Sequence, residues 1–565
     1  MPGGISESPC TLRHWRTTKA KRTTSSVAEE RDMFAKVITG FGLRTRCWIH
    51  VNTRPAAEVT GLAVEPRQPA RRHASSTCTG AVSDVGRVKS MDELGGPSFL
   101  STLNWLFVKG YFKTTQQMQI EHKKLYGPLW KSTYGPLVVV NVASAELIEQ
   151  VLRQEGRHPV RTDMPHWRHY REVRNQAHGP LTEIGANWLR IRSILNPRML
   201  KPKHVVSYAD TINPVVADFV ERLCWLRLNN NNGVSDLVPD VTEELYRFAF
   251  EGICSVLFET RLGCLEQDIP VETQKFIHSV GEMFRLSSIV ILFPKRYWPY
   301  LPFWKSFAAT WDHLFKFSEE LVQKKLEELG KKEQVDGDME GAYLTHLLLS
   351  QKMNLTEILG SVTELLLAGV DTTSNTISWA LYHLAKEPGI QDQLHQEVLT
   401  VCPASRGMPT AEDITRMPYL KAVVRETLRL YPVVPGNARL TVENEIVVGD
   451  HLFPKRTLFH LCHYAVSHDD SVFPEPHRFL PQRWLRQENT KQQQHPFGSV
   501  PFGFGIRACL GRRVAELEMY LLLSTLIARF EVRPDPSSTG PVKPITRTLL
   551  CPAAPINLIF KDRQA

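Results

Sequence analysis

The 565-residue chain has ten cysteines but no Cys-x-x-Cys pair and no zinc-finger spacing. A disulfide framework and a structural zinc site therefore lack their usual signatures, and free thiols in a reducing compartment are expected. No His-Glu-x-x-His run and no P-loop occurs either, which removes the simplest metalloprotease and nucleotide-triphosphate readings. There is no internal repeat at solenoid or propeller period. The N-terminal region also lacks an apolar run of about 18 residues, so no spanning helix is expected there. The body of the chain is short of net charge. The formal balance is +9, but residues 1–90 hold 15 Lys/Arg against 7 Asp/Glu, which accounts for +8 of it. A nucleic-acid binder should carry its basic footprint on the folded domain, so that class is excluded as a leading reading.

The basic excess sits in a leader. Residues 33–80 contain Lys36, Arg44, Arg46, Arg54, Arg67, Arg71 and Arg72 against Glu58 and Glu65, with frequent Ser, Thr and Ala. This is the composition of a mitochondrial transit peptide, and residues 1–80 are expected to be a disordered or removed leader with an N-terminal extension. Met33 is an alternative start, and Arg72-His73-Ala74-Ser75 resembles a processing site. From about residue 95 to 562 the pattern is that of one large, mainly helical domain with small β-sheets. Leu137–Val142 reads as a strand and Ala145–Gln154 as a helix. Thr182–Leu195 reads as a helix stopped at Asn196-Pro197. Asn229–Asn232 and Lys331–Gly341 read as polar loops.

The most specific stretch is Phe502-Gly503-Phe504-Gly505-Ile506-Arg507-Ala508-Cys509-Leu510-Gly511, just before a helical pattern running to Phe530. A cysteine presented at a helix N-terminus is biased toward thiolate. A thiolate can hold haem iron and push electron density toward O–O cleavage. Gly503 and Gly505 allow backbone angles that a Cβ forbids. Phe502 is placed to cover the sulfur, Gly511 to admit a flat ring, and Arg507 to pair with a propionate.

A second feature is a helix expected from Asn354, with Glu357 completing a capping box, to Lys386 ahead of Pro388. At its centre, Ala368-Gly369-Val370-Asp371-Thr372-Thr373 is a poor helix former, and a local widening is expected there.

These residues resemble the cytochrome P-450 superfamily, and the resemblance spans residues 95–562. It implies a single haem-binding domain built round a long central helix, with haem b held by Cys509 as metal ligand. Phe502, Arg507 and Gly511 belong to the matching signature. Asp371 and Thr372 match the pair that delivers protons during dioxygen cleavage. Trp188 and Arg192, at i and i+4, match an element that donates to a haem propionate, and Arg439 matches another propionate-binding arginine. Glu426, Arg429 and Arg483 match a buried structural triad, with Gln482 standing where the family usually has Glu.

The mitochondrial class is implied by Lys421 and Arg425, which match a basic patch offered to an acidic ferredoxin. Arg512 and Arg513 extend that face. Runs such as Gly369–Thr376 and Arg425–Pro435 resemble the mitochondrial sterol 27-hydroxylase (sterol 26/27-monooxygenase) group. The resemblance thus implies a mitochondrial oxidoreductase on the matrix side of the inner membrane. It would hydroxylate a sterol side chain with O₂ and electrons from an adrenodoxin-type ferredoxin and its NADPH reductase. A vitamin D hydroxylase or retinoid desaturase of the same class is an open alternative. So are a haem-thiolate isomerase or dehydratase and a non-catalytic haem sensor. The aromatic, basic segment Phe293–Trp304 is expected to dip into the membrane and admit an apolar substrate.

Overall fold

The computed structural model describes residues 88–563, except 135–136, 163, 230–235, 332–342, 486–493 and 539. They belong to the compact unit Asp84–Ala565. The expected leader over residues 1–80, the loop 230–232 and the loop 332–341 lie outside the described residues.

Eight helices frame the site: α1 (Pro165–Arg174), α2 (Gly185–Leu200), α3 (Val241–Phe258), α4 (Val271–Val290), α5 (Pro302–Gly330), α6 (Leu355–Lys386), α7 (Pro418–Leu430) and α8 (Arg512–Arg529). The sequence start signal of α6 is used in full. Asn354 Oδ1 accepts the Glu357 N–H at 2.8 Å, and Glu357 Oε2 accepts the Asn354 N–H at 3.1 Å. The helix runs 32 residues, about 48 Å at ~1.5 Å per residue. Nearly every position from Gly360 to Leu381 is buried, because α3, α5, α7 and α8 pack around it.

The expected widening at the centre of α6 is absent: the helix is continuous through Gly369–Thr373. The hydroxyls and amide there bond carbonyls one turn back instead of breaking the ladder. Thr372 Oγ1 donates to Ala368 O at 2.7 Å, Ser374 Oγ to Val370 O at 2.8 Å and Asn375 Nδ2 to Asp371 O at 2.7 Å. Gly369 serves helix packing, since a Cβ there would lie 2.9 Å from Ile253 Cγ1 of α3.

The expected stop of α2 at Asn196-Pro197 also fails. The helix continues to Leu200 with Pro197 inside it, and a new helix opens at Pro202. A proline deletes one donor, and burial of Arg198 and Met199 holds the following turn in place.

The main sheet has four strands, β1 (Leu129–Tyr134), β2 (Leu137–Val142), β3 (Asn437–Leu440) and β4 (Leu458–Leu461), in the order β1-β2-β4-β3. β2 and β4 run parallel and the outer pairs antiparallel. An isolated bridge joins Val160 to Leu440, which lays residues 159–161 beside Arg439. No described helix is long and apolar enough to cross a membrane.

Candidate active site

Cys509 sits in a short loop ahead of α8. Its N–H donates to Phe502 O at 2.8 Å, and Gly503 and Gly505 take φ of 72° and 69°, the left-handed region that the loop needs. Gly511 differs: its φ is −85°, and a Cβ there would meet nothing within 4 Å. Burial pushes the Cys509 thiol above its ordinary pKa, although the Gly511 N–H and the charges of Arg161, Arg192 and Arg512 oppose the shift. The thiolate bias expected from the helix start alone is therefore outweighed. Coordination to a metal ion deprotonates a thiol outright.

Four arginines converge on this loop. Arg507 Nε donates to Pro159 O at 2.8 Å and its Nη2 to Glu183 O at 3.2 Å, while its guanidinium stacks 3.6 Å from the Trp188 ring centroid. Arg161 Nη2 returns a bond to Arg507 O at 2.6 Å. Arg192 Nη2 bonds Ala508 O at 2.9 Å and Ile506 O at 3.2 Å. Arg439 pairs with Glu155. Burial and mutual repulsion lower Arg507 to about 9 and Arg161 to about 10. Arg161 Nε and Arg192 Nε are buried with no hydrogen-bond partner.

Buried cations that face one acid and keep orphaned donors suit an anionic group with several oxygens. Haem, with two propionates, fits this donor set, and the open space at Gly511 suits a flat ring. The Trp188 indole N–H is already engaged, donating to Pro180 O at 3.2 Å. Trp188 thus meets the arginine cluster through its ring face. Arg161 escaped the sequence reading: it lies in no motif, and only the Val160–Leu440 bridge brings it to Arg439. An open cleft of about 480 Å³ flanks the loop, lined by Glu155, Arg157, Leu189, Gly505 and Ile506 among others.

On α6, Asp371 is buried, and burial alone raises its carboxyl to about 7. Thr372 neighbours it with its hydroxyl turned to Ala368 O. Asn375 links this turn to α3 by donating to Tyr246 Oη at 2.9 Å.

Glu426, Arg429 and Arg483 come together with complete hydrogen bonding. Arg429 Nη2 and Nε donate to Glu426 at 2.7 and 2.8 Å, and Arg483 Nε donates at 3.1 Å. Two donors missed in the sequence complete the acceptor: Trp484 Nε1 at 2.8 Å and Leu480 N at 3.0 Å. Arg429 Nη1 reaches the Ser467 and Pro476 carbonyls at 2.7 and 2.8 Å, tying α7 to the following loop.

A comparable hub, also missed, is Glu364 of α6. It accepts Arg171 Nη2 at 2.8 Å, Thr182 Oγ1 at 2.5 Å and Leu181 N at 2.7 Å, fixing α1 and the segment before α2.

Arg425, Arg512 and Arg513 are exposed. Lys421 donates to Thr415 O at 3.0 Å, and Arg512 pairs with Glu516 at 3.2 Å. Arg425 and Arg512 both act on Tyr520, so α7 and α8 present their cations on one neighbourhood.

The segment before α5 divides. Trp298 and Trp304 turn inward against His169, at centroid distances of 5.6 and 5.3 Å. Ile291, Leu292, Tyr297 and Tyr300 are exposed.

A thiol in a glycine loop, set beside a cluster of arginines with orphaned donors, fits a haem-thiolate site. Residues 95–560 match the family model described as Cytochrome P450. The chain is 47% identical over 499 residues to the rat protein called sterol 26-hydroxylase, mitochondrial, covering 87% of this chain and 93% of the relative. The human protein of that name is 47% identical over 483 residues, covering 85% and 90%. The human 25-hydroxyvitamin D-1 alpha hydroxylase, mitochondrial, is 44% identical over 480 residues, covering 84% and 93%. The chain belongs to the cytochrome P450 family. It is accordingly a monooxygenase whose cofactor is haem held by a cysteine thiolate.

Proposed function

We propose that this monooxygenase hydroxylates the side chain of a sterol in mitochondria. Balanced, the reaction converts R–H, O₂, two electrons and two protons into R–OH and water. When bound, haem supplies the dioxygen chemistry; the protein binds, orients and supplies protons.

In this reading the Cys509 thiolate would hold the haem iron. Arg161, Arg192, Arg439 and Arg507 would hold the propionates, with Trp188 backing Arg507 and with Phe502 and Gly511 bounding the ring. Asp371 and Thr372 move protons to the reacting oxygen. The observation that carries this role is a carboxyl buried on the central helix and poised at about 7, where it can both take and give a proton near neutral pH.

The sterol substrate is supported by the greater identity to the sterol 26-hydroxylases than to the vitamin D enzyme. Electrons come from a ferredoxin docked on Lys421, Arg425, Arg512 and Arg513. The exposed Ile291, Leu292, Tyr297 and Tyr300 rest on the inner membrane and admit an apolar substrate. The segment before about Ser75 directs import and is removed. N-terminal sequencing of the mitochondrial protein should begin near Ser75, and recovery of Met1 or Met33 contradicts the leader assignment.

The decisive assay supplies the purified protein with ferredoxin, its reductase, NADPH and, separately, cholesterol, vitamin D and retinol. A monohydroxylated sterol formed at the highest rate is expected. Preference for another lipid overturns the substrate, and product without an electron donor overturns the monooxygenase reaction.

A further inference from the structure

Beside the Cys509 loop, charge is unevenly answered. Arg161, Arg192, Arg439 and Arg507 gather there, and Glu155 is the acid they face. Glu155 follows the helix Ala145–Arg153, shortly before the bridge from Val160 to Leu440. Its side chain is 10% exposed, and Oε1 accepts Arg439 Nε. Its other oxygen lies against the glycine loop: a Cβ on Gly505 would stand 3.5 Å from Oε2. One carboxylate thus meets the arginine cluster on one side and the loop that presents Cys509 on the other.

Glu155 is not placed as a scaffold acid. Glu426 accepts donors from four residues and Glu364 from three. Among the described residues Glu155 accepts one donor, Arg439 Nε. Arg439 Nη1 donates to Ala438 O at 2.9 Å, so Glu155 grips the guanidinium by its Nε edge. The acid also lines the open cleft of about 480 Å³, with Arg157, Gly505 and Ile506. It ties little chain together, and what it adds to the neighbourhood is charge. Burial raises its carboxyl, and the charges of Arg439, Arg161 and Arg507 oppose the rise.

We propose that Glu155 is a positioning and charge-balancing residue for the bound haem: it aims Arg439 through its Nε edge, and its negative charge, set among the arginines, holds the reduction potential of the iron down. This rests on the assignment of the four arginines to the propionates above. Four cations around two propionates leave positive charge beside the ring, and positive charge favours the reduced, more negative state of the iron. Second-shell groups and burial are the levers by which a protein sets a haem potential. The Glu155 carboxylate offsets part of the excess from within the cluster. Neutralising it therefore makes reduction easier.

The test uses the full-length holoenzyme without substrate. It reads the midpoint potential of the haem by spectroelectrochemical titration and the rate of haem transfer to excess apomyoglobin. E155Q keeps an acceptor for Arg439 Nε and removes the charge. Its midpoint should move positive by at least about 28 mV, about a threefold shift of the ferric–ferrous equilibrium at about 59 mV per tenfold, with haem transfer near wild type. E155D keeps the charge, so its midpoint should stay near wild type. E155A loses both the charge and the grip on Arg439, so its midpoint should move positive and its haem transfer should quicken about threefold. E149Q removes an acid of the preceding helix that pairs with Arg153, and should leave both readings unchanged. If E155A fails to load haem, E155Q and E155D still decide. An E155Q midpoint equal to wild type, or an equal shift in E155D or E149Q, overturns the proposal. If R161A and R507A quicken haem transfer while E155Q leaves the midpoint unmoved, this inference alone fails. If those arginine variants hold haem as wild type does, the underlying reading fails with it.

Discussion

Glu426 and Asp371 are both buried acids in one core, and they are treated in opposite ways. Glu426 accepts donors from Arg429, Arg483, Trp484 and Leu480. Asp371 has no charged partner, and burial alone lifts it to about 7. A carboxylate surrounded by donors is fixed as an ion and locks the chain around it, and removing one partner strands the rest. A carboxyl left without them exchanges its proton near neutral pH, at a cost in stability. The difference separates scaffold from chemistry. Around Glu426 the polar groups hold a geometry, while on the central helix Asp371 is kept protonatable.

The comparison can be broken in order of effect. Cys509→Ser should abolish the red-shifted Soret band of the reduced CO complex, the optical mark of thiolate ligation, and all turnover with it. A variant retaining that band would remove Cys509 as ligand. Glu426→Gln leaves Arg429 and Arg483 facing an amide, so a stability loss of about 3–5 kcal/mol is expected, since one partner of a buried pair is removed. Thermal unfolding and the haem content of the purified protein measure it. A variant as stable as wild type, but uncoupled, would invert the assignment of the two regions. The smallest effect concerns the surface. Lys421→Glu with Arg425→Glu should slow ferredoxin-supported turnover about tenfold at low ionic strength and much less in salt, because steering by exposed charge is screened. Haem content should not change. Equal turnover at low salt would make the two cations a plain solvated face.

The sequence makes local features legible. The Asn354–Glu357 cap, the strand Leu137–Val142 and the glycine loop before Cys509 each depend on residues within ten positions, and each forms as read. What it hides depends on distant contacts. Arg161 reaches Arg439 only through the bridge from Val160 to Leu440. Trp484 and Glu364 acquire their roles from partners 58 and 193 residues away. Two local readings were overruled by burial: α2 passes through Pro197, and α6 stays closed because its hydroxyls bond its own carbonyls.

The account turns on Asp371 doing chemistry instead of holding the fold. Its raised carboxyl gives a signed expectation. The folded protein retains a proton that the unfolded chain releases, so this residue costs stability as pH climbs from 3.8 to about 7. Asp371→Asn removes that cost. The direct measurement is product formed per NADPH consumed by Asp371→Asn at pH 7, read beside its thermal midpoint and haem content. The account predicts a ratio reduced at least about tenfold, on the scale of a lost general acid, with a midpoint equal to or above wild type and full haem. An unchanged ratio, or a fall in midpoint and haem like that of Glu426→Gln, would contradict it.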